Sequence, residues 1–233
     1  MDLQKKFELT PALRELKEYS PLTFFIERFF FVLQIFSIPN ILFKTRKEAH
    51  EANSTEEIEE ITKKRGRRID YYIIVRLVIM IILVVLSIVK TNCMIITFLC
   101  IAIPVYYIYE IMQATINMVL FDHLRIMKQH RVSGVTRTLV LSLYNYLELM
   151  ILFGIIYSVN VSYIQNAVHP LNGYYFSVVT QLTIGYGDLY PYSFVGTIAA
   201  IQGIFGFILV ILVLSRFITL MPKIQSVQKG DNS

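Results

Sequence analysis

The chain has 233 residues, 55% of them hydrophobic and only 17% charged, with a mean hydropathy of +0.55. That balance excludes an ordinary soluble domain and points to membrane-spanning segments. The formal charge of +5 is gathered in two basic clusters beside apolar runs, which is the pattern that sets membrane topology and gives no sign of a nucleic-acid partner.

Residues 1–68 form an amino-terminal region expected to be cytoplasmic or interfacial. The polar start from Met1 lacks the short apolar core of a cleaved signal peptide. The apolar stretch 22–43 contains Glu27, Arg28, Gln34 and Pro39. A crossing there puts Lys5, Lys6, Arg14 and Lys17 outside, so an interfacial or cytoplasmic helix is favoured over a fifth span. Ser54-Thr55-Glu56-Glu57 reads as a capping box opening a polar helix, which the pairs Glu59 with Lys63 and Glu60 with Lys64 support as far as Gly66.

Four runs approach the roughly 20 apolar residues that cross a bilayer: 71–89, 94–111, 139–161 and 194–220. They predict an all-α membrane protein with four transmembrane helices per subunit. Residues 69–121 make a two-helix hairpin closed by Lys90, Thr91 and Asn92, with Pro104 expected to kink its second helix. Residues 122–138 are a basic cytoplasmic linker. Arg125, Lys128 and Arg131 recur every third residue but lie beyond the apolar run, so they read as linker charges and not as a voltage sensor. With Lys63, Lys64, Arg65, Arg67 and Arg68 they place both termini in the cytoplasm. Cys93 and Cys100 are too far apart for an intrahelical disulfide and lack metal-ligating neighbours. Arg76 and Glu148 stand inside predicted spans at compatible depths, a possible intramembrane pair, the alternative being a snorkelling Arg76 and a neutral Glu148.

Residues 139–220 form the last unit, followed by a short cytoplasmic tail, 221–233. Between its two spans, 162–172 suits an exposed turret, 173–182 a short re-entrant helix and 183–188 irregular backbone at membrane depth, which is tolerated only where it lines a water-filled or protein-lined place. Gly185 and Gly187 permit the dihedrals that let an extended stretch aim successive carbonyls at one axis. The Thr183 hydroxyl adds a further oxygen, and Tyr186 braces the backbone from outside.

Thr183-Ile184-Gly185-Tyr186-Gly187-Asp188, followed by Leu189-Tyr190-Pro191, resembles the selectivity filter of the potassium-channel pore family. It differs from the commonest spelling by Ile184 in place of valine, and the resemblance runs over 139–220. It implies a potassium-selective channel of the single-pore-loop type, a homotetramer in the cell membrane, surrounded by lipid, that conducts potassium passively. The ions are the transported species. No cofactor and no enzymatic activity are implied. The resemblance assigns the stacked ion sites to the carbonyls of Thr183, Ile184, Gly185 and Tyr186, with Gly187 completing the filter, and gives filter support to Asp188, Tyr175 and Phe176. It also places Tyr190 at the external mouth and a possible hinge at Gly203 and Gly206, where close helix packing is the competing role. Val179 and Leu182 depart from the family's usual residues, which bears on inactivation and on blocker affinity. A weakly selective cation channel, an ion-transporter subunit and a membrane sensor are the other readings the residues leave open.

Overall fold

A computed structural model describes Phe25, Arg28 and residues 55–89, 93–120 and 135–220. The predicted features of the rest of 1–54, of the linker 121–134 and of the tail 221–233 lie outside the described residues. Five helices carry the fold: α1 Thr55–Ile88, α2 Met94–Leu120, α3 Val135–Val159, α4 Leu171–Gln181 and α5 Phe194–Leu220. Four of them are long and apolar enough to cross a membrane over 66–88, 94–115, 140–159 and 194–211.

The helices differ from the sequence expectations at their ends. α1 does not stop at Gly66 but continues from Thr55 through it. One glycine costs a helix about 1 kcal/mol, which is small against the propagation of the apolar run beyond it. α2 runs past Ile111 to Leu120. α3 begins at Val135, inside the segment expected to be linker, and ends at Val159. Val161 instead opens a short 3-10 turn to Tyr163.

α3 is the centre of the molecule, packing on α1, α2, α4 and α5. Leu149, Leu152, Ile155 and Tyr157 on it are fully buried, so its second half meets protein on nearly every side, while Val140, Leu143 and Leu147 in its first half are exposed. The outward faces of α1 and α5 remain apolar and exposed, among them Ile74, Val78, Ile81 and Val85 on the first and Ile204, Phe207, Ile211 and Leu214 on the second. Such continuous apolar faces need lipid or another subunit to cover them.

The short helix α4 lies close against α3 because Gly173 removes a side chain where the two backbones meet. A methyl group there would stand 2.5 Å from the Ser158 nitrogen and 2.7 Å from the Tyr157 carbonyl carbon. Beyond the helices, the described residues include a two-stranded antiparallel ribbon, β1 Ile164–Gln165 with β2 Tyr190–Pro191. It ties the segment before α4 to the segment after residues 183–188.

Candidate functional site

α4 ends at Gln181, with Leu182 as its cap, and the chain leaves it through two turn-like hydrogen bonds. The Thr183 N–H donates to the Thr180 carbonyl at 3.1 Å and the Ile184 N–H to that of Val179 at 3.0 Å. From there the backbone alternates. Thr183, Gly185 and Gly187 adopt φ of 55°, 61° and 77°, while Ile184 and Tyr186 stay out of the left-handed region. A left-handed residue costs an L side chain about 1–2 kcal/mol and costs glycine almost nothing. Alternation of this kind turns successive peptide planes so that neighbouring carbonyls can face one side. A Cβ added at Gly185 or Gly187 meets nothing within 4 Å, so the demand for glycine comes from the dihedral and not from crowding.

Residues 182–188 are exposed in the single chain, although they follow a helix whose Phe176, Ser177, Val179 and Gln181 are buried. The Thr183 hydroxyl donates to the Leu182 carbonyl at 2.7 Å. Among the described residues no cluster of His, Cys, Asp and Glu is arranged to hold a metal ion.

The outer end of the segment is pinned from two directions. Tyr175 donates its hydroxyl to Asp188 Oδ2 at 2.8 Å, and that bond to a carboxylate raises the tyrosine above its ordinary range, keeping the phenol proton in place. Asn166 Nδ2 donates to the Asp188 carbonyl at 3.0 Å. Tyr190 follows in β2, opposite Gln165 and half exposed. Phe176 packs edge-on against Tyr157, ring centroids 5.0 Å apart.

Beside the alternating segment lies a buried polar network that the sequence expectations missed. Gln202 on α5 accepts from the Tyr157 hydroxyl at 2.8 Å. Its amide nitrogen contacts the Ser177 carbonyl at 3.0 Å, Ser177 Oγ at 2.9 Å and Gln181 Oε1 at 3.1 Å. Ser177 in turn donates to the Met150 carbonyl at 2.7 Å. Gln202, Ser177 and Gln181 are 3% exposed or less, so this carboxamide joins α3, α4 and α5 within two residues of Thr183. The available signal was a lone glutamine in an otherwise apolar span. Gly206, one turn on, faces the Gln181 side chain, where a Cβ would approach to 2.9 Å. Gly203 has open space around it. α5 is helical through both.

Arg76 and Glu148 are brought together, Arg76 Nη2 donating to Glu148 Oε2 at 2.5 Å and to Asn145 Oδ1 at 3.3 Å. Two further residues, absent from the sequence expectations, complete this cluster. Glu110 lies 4.0 Å from Arg76 Nη1, and Tyr72 donates its hydroxyl to Glu110 Oε2 at 2.6 Å. Glu110 falls inside the predicted second span and carries the same signal as Glu148, an acidic residue in an apolar run.

Residues 146–223, about a third of the chain, match the family model described as Ion channel. No curated protein and no solved structure matches the chain. The matched region takes in most of α3, all of α4, the alternating segment and α5. This region is an ion-channel pore domain and not an enzyme. The chain is a mostly helical multi-pass membrane protein, with four candidate spans and a short pore helix among the described residues.

Proposed function

We propose that four copies of this chain form a potassium-selective channel in the cell membrane, through which potassium moves passively down its gradient. The observation that carries this reading is the alternating left-handed backbone at Thr183, Gly185 and Gly187, directly after a short helix inside an ion-channel pore domain. A dehydrated cation needs a cage of oxygens, and four extended segments around one axis supply it from backbone carbonyls. In this reading the carbonyls of Thr183, Ile184, Gly185 and Tyr186 and the Thr183 hydroxyl are the ion ligands, and Gly187 completes the filter. Tyr175, Phe176 and Asp188 hold the filter's shape, and Tyr190 borders the external mouth.

The reading also accounts for the exposure of 182–188 in the single chain, because three neighbours and the ion column cover these residues in a ring. It places the basic residues 63–68 and both termini in the cytoplasm. The purified chain in liposomes loaded with potassium chloride tests it. External tracer rubidium should accumulate by exchange until the gradient is spent, whereas tracer sodium should enter far more slowly. Equal entry of both tracers contradicts selectivity, and accumulation against the electrochemical gradient contradicts passive conduction.

A further inference from the structure

Charge inside a membrane span is costly unless it is paired, and the cluster at the meeting of α1, α2 and α3 is unequally paired. It holds one cation, Arg76, and two carboxylates, Glu110 and Glu148, with 6%, 3% and 1% of their surfaces exposed. With both acids ionised the cluster carries an uncompensated negative charge, and with one proton bound it is neutral. Burying a lone charge is penalised by several kcal/mol, so the neutral arrangement is the stable one.

The distances distinguish the two acids. Glu148 receives the charge-assisted contact from Arg76 Nη2 at 2.5 Å. Glu110 stands 4.0 Å from the guanidinium, beyond hydrogen-bonding range, and takes instead the neutral Tyr72 hydroxyl on Oε2. That leaves Glu110 Oε1 as the atom for a proton. Other titratable groups facing the cluster are tyrosines. The guanidinium carbon lies 5.9 Å, 5.8 Å and 6.0 Å from the ring centroids of Tyr72, Tyr107 and Tyr144, and the Tyr106 ring lies tilted beside that of Tyr107, centroids 5.9 Å apart. α4 offers only Tyr174 and Tyr175, which bond to Ser87 and Asp188, and α5 has no titratable residue over 194–214.

We propose that Arg76, Glu110, Glu148 and Tyr72 form an intramembrane proton-binding site, in which a proton on Glu110 leaves Arg76 bound to Glu148 and its loss draws Arg76 toward Glu110. The step is an acid dissociation, the proton leaving Glu110 Oε1 for solvent and no other bond being made or broken. Its structural consequence is a change in which helix α1 grips. Protonated, α1 is tied to α3 through Arg76 and Glu148. Deprotonated, the guanidinium is shared with α2. Arg76 Nε and Glu148 Oε1 have no hydrogen-bond partner among the described residues, so both can accommodate the shift. Two residues beyond Glu148, the Met150 carbonyl accepts from Ser177, which connects this grip to the helix that ends at the filter segment.

The proton site stands independently of the channel reading, while its effect on current rests on that reading. Infrared spectroscopy of the full chain in lipid at neutral pH, following the carbonyl stretch of a protonated carboxylic acid, separates the two. Wild type should show one such buried acid per chain that is lost as pH is raised. Glu110→Gln should abolish it, Arg76→Gln should add a second, and Tyr72→Phe should shift the band by removing the hydroxyl that donates to it. A band unchanged in Glu110→Gln, or unmoved in Tyr72→Phe, overturns the proposal. Where wild type carries current, open probability should change with pH by up to about tenfold per unit for each linked proton, one per chain. Glu110→Gln should remove that dependence with the reversal potential unchanged. A pH response equal to that of wild type overturns the coupling. Absence of any wild-type current contradicts the channel reading, and the infrared result still decides the proton site.

Discussion

Where α4 crosses α3, the backbones meet through Gly173 with no room for a methyl group; where α1 meets α3, a charged side chain reaches across to a carboxylate. The pore half is thus fitted by volume and by neutral hydrogen bonds, and the hairpin, which shares the apolar core through Met80, Leu83, Ile108 and Ile111, is fastened to it in addition by a charge cluster and a few hydroxyl contacts. Ser87 illustrates the second kind, lying 2.6 Å from the Tyr174 hydroxyl while its carbonyl accepts from Ser158. Close-packed backbone has one good arrangement, whereas a guanidinium between two acids has two. The comparison assigns rigidity to the filter's support and adjustability to the hairpin.

The largest expected effect comes from breaking the rigid side. Gly173→Ala puts a methyl group against two backbone atoms that cannot swing away, so its cost should exceed the about 1–3 kcal/mol usual for overpacking. The variant should insert in membranes but lose its oligomer on native gels. Gln202→Leu should come next. It strips the Tyr157 hydroxyl, Ser177 and Gln181 of their shared partner, at about 1–3 kcal/mol for each buried group left unpaired. Thermal denaturation of the oligomer should register the loss, and Gln202→Glu, which retains an acceptor for Tyr157, should lose less.

On the adjustable side, Arg76→Gln and Glu148→Gln should each destabilise the fold, and the double variant should be less damaging than their sum. A coupling of about 1–3 kcal/mol is expected for a buried contact of this kind. Strict additivity in the double-mutant cycle contradicts the grip of α1 on α3. The smallest effect belongs to the outer ribbon. Tyr190→Val retains the antiparallel pairing with Gln165 and removes an aromatic face worth about 0.5–2 kcal/mol to a quaternary ammonium ion. External tetraethylammonium should therefore block the variant less well, with potassium current intact. Unchanged block places Tyr190 away from the mouth.

The spans were legible in the sequence because membrane length is written directly as runs of apolar residues, and the left-handed turns at Gly185 and Gly187 because a Gly-Tyr-Gly spacing at that place answers a dihedral requirement. Contacts between spans were less so. Arg76 and Glu148 could be matched by depth, but Glu110 joins them only through the rotation of α2 about its axis, which its apolar residues do not fix. Gln202 gave a polar signal without naming its partners, which come from α3 and α4. The ribbon of 164–165 with 190–191 is too short for any alternation to be read. Gly66 was misleading for the opposite reason, since a local helix breaker yields to the long apolar run that follows it.

The central claim is that this backbone, left-handed at Thr183, Gly185 and Gly187, selects potassium. Bi-ionic reversal potentials, with potassium on the inner side and sodium at equal concentration outside, test it most directly when wild type and Gly185→Ala are recorded side by side. Gly185 has φ of 61° and open space around it within its own chain, so alanine there strains the filter through the dihedral and not through crowding by its own chain. Wild type should reverse more than about 59 mV negative, the displacement for a tenfold preference for potassium. Gly185→Ala should reach the membrane and either carry no current or reverse near zero. A wild-type reversal near zero, or full selectivity in Gly185→Ala, contradicts the account.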